Sequence, residues 1–208
     1  MKRAGKIPRF KMQRRLMTEL PGLGKAGALE RKPYPPGQHG QQRKKFSEFG
    51  LQLEEKQKIR VHYGLRETQL RRFVVKAKSG SSDNWVASLA SLLERRLDNL
   101  VFRLGFAPSI PSARQMVSHR KVMVNGKIVN VKSYVAKVGD VITLTQRGLE
   151  GQDFLKAQMA PRLTLPNYLT VEKADAGVTG KVIDSPTVGD IPFPFDAGTF
   201  TSFYSGLK

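Results

Sequence analysis

The spacing of apolar residues predicts two consecutive amphipathic segments in the first half of the chain. The first is a helix over residues 49–63, because Ser47 is a good N-cap and Gly64 is a typical C-terminal signal. In the second, apolar side chains from Leu70 to Ala77 recur at positions i, i+3, i+4 and i+7, and basic residues fill the other positions. This second helix is therefore expected to bury one stripe and to expose a basic back.

The longest helical pattern covers residues 86–104, where the apolar positions keep the helical period for five turns. Asp83 can cap this helix, and Gly105 ends it. After a turn that contains proline, residues 112–119 predict a short helix that presents Arg114.

Three polar residues lie away from the apolar stripe of the long helix. Arg96, Asn99 and Arg103 are three and seven residues apart, so they share one face if the helix is continuous. This spacing predicts a positive surface. An alternative stays open, in which Arg96 or Arg103 pairs with Asp98 or Glu94 on the same helix.

Beyond the short helix the apolar pattern changes to a period of two, which is typical of strands. Strands over residues 122–124 and 128–131 flank Asn125-Gly126, the strongest short-range signal for a two-residue hairpin turn. A turn at Gly139-Asp140 and a strand over residues 141–144 follow. The chain is therefore predicted to be α+β, with a helical N-terminal part followed by a helix-helix-hairpin module.

Neither end of the chain shows a clear period. The N-terminal segment is rich in glycine and proline and carries 13 basic against 2 acidic residues, so we expect it to be extended and to become ordered on its partner. Near the C-terminus, prolines separate short β-prone pieces from a group of aromatic residues. Four parts are predicted: a basic extension (1–45), a helical domain (46–92), the module (93–157) and a C-terminal tail packed on the helical domain (158–208).

Charge is distributed unevenly along the 208 residues, which include 36 Lys and Arg against 17 Asp and Glu and carry a net charge of +19. Residues 1–78 have a net charge of +15, residues 79–147 of +6 and residues 148–208 of −2. Such an excess favours a polyanionic partner, and nucleic acid is the expected one, with an anionic membrane surface as the alternative. The near-neutral tail is expected to contact protein.

The sequence holds little that supports catalysis or metal binding. It has no cysteine, which excludes disulfides, thiolate zinc sites, iron–sulfur clusters and a cysteine nucleophile. The three histidines lack metal-ligand spacing, and no nucleophile elbow, phosphate loop, membrane span or secretory signal is apparent. We therefore expect a cytoplasmic protein that is not an enzyme, needs no cofactor, and binds neither a membrane nor a small-molecule substrate.

The side chains that are present suit RNA. The arginine guanidinium matches phosphate oxygens and stacks on bases, whereas lysine supplies a mobile point charge. Four rings stand among these charges and can stack on unpaired bases: Tyr34, His39, Phe46 and Tyr63. Because no single recognition helix with dimer symmetry is apparent, folded RNA recognised by its shape is the expected ligand.

Several motifs resemble one family of ribosomal proteins. Glu94-Arg-Arg-Leu-Asp98, Ala113-Arg114-Gln-Met-Val and Val122-Met-Val-Asn-Gly126 are similar to the RNA-binding module named after bacterial small-subunit ribosomal protein S4. Arg31-Lys-Pro-Tyr-Pro-Pro-Gly-Gln-His-Gly40 and the terminal Phe203-Tyr204-Ser205 resemble other segments of that protein family. The similar segments cover most of residues 28–145 and reach the C-terminus.

The resemblance implies a structural constituent of the small ribosomal subunit that is a primary binder of 16S ribosomal RNA and nucleates assembly. It also implies contacts with ribosomal protein S5 and other small-subunit proteins, an influence on translational accuracy, and proximity to messenger RNA. No metal is implied, because the cysteines that hold one in many members are absent here. Two other classes stay open: an RNA-modifying enzyme that carries the same module, and a messenger RNA-binding translational repressor.

The resemblance also implies particular RNA-binding residues. The module's RNA face would contain Arg95, Arg96, Arg114, His119, Lys121 and Lys127. A loop close to the RNA backbone would contain Gly37, Gln38, His39 and Gly40. The basic run that approaches incoming messenger RNA would be Arg43, Lys44 and Lys45. The charge pattern adds Arg14, Arg15, Arg71, Arg72, Arg103 and Arg120.

Overall fold

The structure is a computed structural model that describes residues 9–23, 27, 29–42, 45–80, 84–174 and 177–205. Within these ranges the helices are α1 Arg9–Leu16, α2 Glu48–His62, α3 Glu67–Lys78, α4 Trp85–Glu94, α5 Leu97–Arg103, α6 Ile110–Ser118, α7 Gln146–Leu149, α8 Gln152–Met159 and α9 Ala197–Phe203. The strands are β1 Val122–Val124, β2 Lys127–Ile128, β3 Val141–Leu144, β4 Leu169–Ala174 and β5 Gly177–Val182. Helices with an antiparallel sheet confirm the predicted α+β class. The predicted cap Asp83 and the predicted RNA-binding residues Arg43 and Lys44 lie outside the described residues.

The chain divides into two compact units. The first comprises Met1–Arg71 and Pro192–Lys208, and the second comprises Arg72–Ile191. The segment 158–208, which the sequence suggests to be one tail, is therefore shared between the two units. The four-part division of the chain remains a prediction.

Part of the basic N-terminal segment contributes to the core of the first unit. Met12, Leu16, Leu20 and Leu23 are buried, and the Gln13 Nε2 supports the turn after α1 by donating a hydrogen bond to the carbonyl oxygen of Leu20 at 2.9 Å. The expectation of an extended segment is wrong for α1 and the turn that follows. The apolar residues there span too few turns to stand out as a helical period.

Helix α2 confirms the predicted helix over residues 49–63 to within one residue. The Ser47 Oγ accepts a hydrogen bond from the backbone N–H of Gly50 at 3.1 Å, as an N-cap does. At the other end Gly64 has a φ of 53°, the left-handed conformation that commonly terminates a helix.

The last helix, α9, packs against α2 within the first unit. The ring centroids of Phe203 and Phe49 lie 5.8 Å apart, and the Lys56 Nζ lies 4.8 Å from the Phe203 ring. Phe200 is fully buried. The aromatic residues near the C-terminus therefore anchor this segment to the helix that begins at Glu48.

The predicted helix over residues 86–104 is two helices, α4 and α5. Arg96 interrupts them with an extended backbone (φ −66°, ψ 137°) and forms a β-bridge with Val135. The Leu97 N–H donates to the carbonyl oxygen of Tyr134 at 2.8 Å rather than to a carbonyl of α4. The prediction of one continuous helix is wrong, because the backbone of Arg96 and Leu97 pairs with the loop at Tyr134 and Val135.

The second unit contains a sheet with the strand order β2-β1-β3-β5-β4, in which each neighbouring pair is antiparallel. Asn125 and Gly126 have φ values of 49° and 76°, as a type I′ turn requires, which confirms the predicted hairpin. Its second strand is shorter than the predicted 128–131. The strand predicted over residues 141–144 is confirmed as β3.

Strands β4 and β5 extend the module's sheet, because β5 pairs with β3. Gly180 permits a close approach to α5: a Cβ at this position would lie 2.5 Å from the Leu104 Cδ1. The apolar faces of α5, α6 and the sheet form one core, which includes Leu97, Leu100, Val101, Phe106, Val117, Val122, Ile142 and Val182. This core fixes α6, which carries Arg114, and the hairpin, which carries Lys127. It thereby also fixes the ends of the segment 119–121 that joins them.

Candidate RNA-binding surface

Basic residues surround the junction between α6 and β1. His119 and Arg120 are exposed and Lys121 is half-buried. The Thr145 N–H donates to the carbonyl oxygen of Lys121 at 3.0 Å, which brings the exposed Arg147 to the same end of the sheet. We call these four basic residues (119, 120, 121 and 147) the α6–β1 cluster. Arg147 was not predicted, because no motif marks it.

Arg120 in this cluster has an unusual backbone. Its φ is 59°, and its N–H donates to the carbonyl oxygen of Val117 at 3.0 Å while the Lys121 N–H donates to that of Met116, also at 3.0 Å. This is a helix C-terminus of the kind in which glycine or asparagine usually takes the left-handed position. A charged residue held in a sparsely populated conformation is a candidate for a functional contact.

A second group of cations lies near the hairpin turn. Lys127 is exposed on β2 and Lys137 in the loop that follows. Lys132 is also exposed in that loop, but it lies beside α5, where its carbonyl oxygen accepts from the Asp98 N–H at 3.3 Å. Asp140 ties this loop to the turn, because its carboxylate accepts from the Lys137 N–H at 2.8 Å and from the Asn125 Nδ2 at 2.9 Å. Only Lys127 was predicted. The net positive charge of residues 79–147 was the one sequence signal for the other two lysines.

Arg96 and Arg103 are buried, with 4% and 6% of their surface exposed. Arg96 forms a bidentate pair with Asp98, at 3.1 Å from Nε to Oδ1 and 2.9 Å from Nη2 to Oδ2. Arg103 donates from Nε to the Glu94 Oε2 at 3.0 Å. The predicted exposed face is therefore wrong, and the pairing that the sequence left as an alternative is present. Their assignment as RNA ligands remains a prediction that burial does not favour.

Glu94 is the centre of this buried polar network. Its Oε2 also accepts from the Asn99 Nδ2 and from the Tyr168 hydroxyl, each at 2.8 Å. Burial and the Glu94 carboxylate raise the pKa of Tyr168, which keeps its phenol protonated and able to donate. The network thus joins α4 and α5 to the residue that precedes β4.

Other predicted arginines remain accessible to different degrees. The Arg114 side chain is 23% exposed, and its Nε donates to the Asp98 Oδ2 at 2.8 Å. Arg95 is half-buried, whereas Arg71 and Arg72 are exposed on α3.

In the first unit the predicted RNA-contacting loop is a tight turn. Gly40 is buried, and a Cβ there would lie 1.9 Å from the carbonyl oxygen of Pro35, so only glycine fits. Gly37 has a φ of 121°, and its carbonyl accepts from the Gly40 N–H at 3.3 Å. Gln38 and His39 are exposed and therefore accessible to a ligand.

Arg14 supports this turn from α1. Its Nε donates to the carbonyl oxygen of Tyr34 at 3.0 Å, and its guanidinium carbon lies 5.0 Å from the centroid of the Tyr34 ring. Arg15 and Lys45 are exposed. Of the two predicted arginines on α1, Arg14 thus has an intramolecular role, and Arg15 presents its charge to solvent.

The described residues contain no group of three or more histidine, aspartate or glutamate side chains placed to hold a metal ion. Within the same ranges, no helix combines the length and apolar character that crossing a membrane requires.

Comparisons with known proteins agree with this architecture. Residues 4–94 match the ribosomal protein S4/S9 N-terminal domain, and residues 95–142 match the S4 domain. The chain is 59% identical to small ribosomal subunit protein uS4B of Bdellovibrio bacteriovorus over 205 residues, 99% of each chain. It is 45% identical to uS4 of Methylobacillus flagellatus over 200 residues, 95% of this chain and 96% of the relative. These matches confirm the resemblance read from the motifs: the chain belongs to the family of small ribosomal subunit protein uS4, whose members are structural ribosomal proteins and not enzymes.

Proposed function

We propose that this chain is a structural constituent of the small ribosomal subunit and binds 16S ribosomal RNA directly, as a primary binder that joins the five-prime domain early in assembly. The observation that carries the proposal is the α6–β1 cluster together with the lysines near the hairpin turn. These basic side chains extend from elements whose apolar sides form one buried core. A positive surface that is held in place by one buried core suits recognition of a fixed phosphate arrangement.

The spacing of the two groups of cations favours folded RNA over a flexible strand. They lie at opposite ends of β1, a strand of three residues, and are therefore about 10 Å apart along the sheet. Lys121 precedes this strand and Lys127 follows the turn at its other end. Two binding points fixed on one element can contact two phosphates together only if the phosphates lie at the matching distance. Binding then depends on the shape of the RNA.

The account of RNA binding is tested by hydroxyl-radical footprinting of naked 16S ribosomal RNA with this chain alone. We expect protection concentrated in the five-prime domain. Protection that appears only after other ribosomal proteins are added would contradict primary binding. Protection spread evenly over all domains would contradict shape-specific recognition.

The contact with ribosomal protein S5, and through it the influence on translational accuracy, is assigned to the first unit. Phe49 and Leu51 are 63% and 49% exposed on α2. Beside them a groove of about 340 Å³ is lined in part by Glu48 and Asp196. Apolar and acidic side chains in a strongly basic chain favour a protein partner over RNA.

This protein contact is tested by the binding of purified S5 to the Leu51→Ala variant, because Leu51 lines the groove, whereas Phe49 also contacts Phe203 within the unit. We expect weaker S5 binding and unchanged RNA binding. Met159→Ala is the matched control, because Met159 is also an exposed apolar helix residue, 83% accessible, on α8. Equal S5 binding by both variants and the wild type would contradict the assignment.

Proximity of the exposed Lys45 to messenger RNA is proposed from family resemblance and would appear as a crosslink from this position.

A further inference from the structure

One buried carboxylate in the second unit, that of Asp98, accepts hydrogen bonds from two arginines. Only 2% of the Asp98 side chain is exposed. Its Oδ1 accepts from the Arg96 Nε and from the backbone N–H of Asn99, each at 3.1 Å. Its Oδ2 accepts from the Arg96 Nη2 at 2.9 Å and from the Arg114 Nε at 2.8 Å. Four donors thus occupy the roughly four acceptor positions that a carboxylate offers.

The two arginines differ in what they do for Asp98. Arg96 is itself buried and neutralises the carboxylate through a two-pronged contact, the strongest geometry for this pair. The guanidinium of Arg96 is also placed against the ring of Phe73, at 5.6 Å from its centroid. Asp98 is therefore charge-compensated and fixed in position without Arg114.

Arg114 approaches the same carboxylate from the edge of the protein. It uses Nε, and its side chain is partly exposed. Without this contact Asp98 still keeps Arg96 as its bidentate partner, so removing Arg114 leaves no uncompensated buried charge. What the contact does accomplish is to fix the plane and direction of the guanidinium, since a hydrogen bond at Nε constrains the planar fork.

We propose that Asp98 is a positioning residue, which holds the guanidinium of Arg114 in the orientation that binds a phosphate of the RNA. The proposal rests on the RNA-binding function proposed above and adds a residue to it. Arg114 lies on α6, the helix that leads into the α6–β1 cluster. Orienting the group before binding reduces the entropy lost when the complex forms.

The first test compares three chains that differ at one position: wild type, Arg114→Ala and Arg114→Lys. Lysine keeps the charge, but it cannot bond Asp98 through one edge and a phosphate through the other. We therefore expect both variants to bind 16S ribosomal RNA about 10- to 100-fold more weakly, with melting temperatures close to that of the wild type. The matched control Arg147→Lys, at an exposed position of the α6–β1 cluster, should bind less than about threefold more weakly.

The second test assigns the effect to Asp98. In a double-mutant cycle, Asp98→Asn should weaken RNA binding in the wild-type background and add almost nothing in the Arg114→Ala background. Additive losses would overturn the proposal. Because Asp98→Asn also disturbs the buried Arg96, a measurement on the unaltered chain is added. In nuclear magnetic resonance relaxation, the Nε–H of Arg114 should be as rigid as the backbone before RNA is added, whereas that of Arg147 should be mobile.

These experiments separate two failures. If the wild-type chain does not bind 16S ribosomal RNA, the proposed function fails. If the wild type binds but Arg114→Lys binds equally well, or the Arg114 Nε–H is as mobile as that of Arg147, the positioning role of Asp98 is overturned and the function stands.

Discussion

Arg14 donates a hydrogen bond from Nε to the carbonyl oxygen of Tyr34 at 3.0 Å, and the same guanidinium lies over the Tyr34 ring. One side chain of α1 therefore holds both the backbone and the ring at the start of the proline-rich turn. This turn leads to Gln38 and His39, whose exposed side chains are predicted to contact RNA.

Replacing Arg14 by alanine should loosen this turn. The loss of a charged hydrogen bond and a cation–π contact is expected to lower the free energy of unfolding by about 1 to 3 kcal/mol. Hydrogen exchange of the Gly40 amide should accelerate. Arg15→Ala is the matched control, because Arg15 is exposed on the same helix and should change stability by less than about 0.5 kcal/mol. Equal effects of the two variants would show that the contact with Tyr34 has no structural role.

The buried network around Glu94 predicts a larger effect. Glu94→Gln leaves the charge of Arg103 without its carboxylate and should destabilise the second unit by about 3 to 5 kcal/mol. Denaturant unfolding measures this loss. Glu150→Gln, at an exposed position whose carboxylate accepts a surface hydrogen bond from Gln146, should be nearly neutral. A loss below about 0.5 kcal/mol for Glu94→Gln would contradict the role of the network in stability.

Gly180 tests the position of β5 in the module. The alanine Cβ would lie 2.5 Å from the buried Leu104 Cδ1, so Gly180→Ala should overpack the core and lower stability by about 1 to 3 kcal/mol. Gly189→Ala is the control, since its nearest neighbour, the Thr187 Oγ1, would be 3.7 Å away, an ordinary contact. If thermal unfolding shows Gly180→Ala to be as stable as Gly189→Ala, β5 does not pack on α5 as described.

Asp196 links stability to pH. It caps α9, and hydrogen bonds from the side chain and backbone of Thr199 hold the pKa of this carboxyl below its usual value of 3.8. A carboxyl whose pKa is lower in the folded state stabilises the fold above its unfolded pKa, and this contribution is lost as the pH falls through the folded pKa. Wild type should therefore lose stability relative to Asp196→Asn as the pH is lowered below about 4. Parallel pH profiles of unfolding for the two chains would contradict this cap.

Local signals predicted some elements well. The helix that begins at Ser47 and the hairpin at Asn125-Gly126 are set by a cap and a turn, and both patterns act over a few residues. The long apolar pattern over residues 86–104 wrongly predicted one helix. Its period continues through Arg95 and Arg96, but a backbone contact with a residue about forty positions away breaks the helix there.

The candidate site shows the same contrast between features that local sequence indicates and features that distant contacts decide. Exposure of Arg120 and Lys127 follows from their turn and strand positions, which the sequence indicates. Burial of Arg96 and Arg103 depends on the break between α4 and α5. The further ties to Tyr168 and to the carbonyl of Asp190 come from residues far along the chain. No spacing rule could have indicated those partners.

The central claim is that the exposed cations of this chain engage the phosphate backbone of ribosomal RNA. The most direct test is the dissociation constant for the five-prime domain of 16S ribosomal RNA, measured over a range of salt concentrations. If about eight phosphates are neutralised, the plot of log affinity against log salt should have a slope of about −6 to −7. A slope shallower than about −2 would show that the positive charge is not engaged with phosphate, and it would contradict the account.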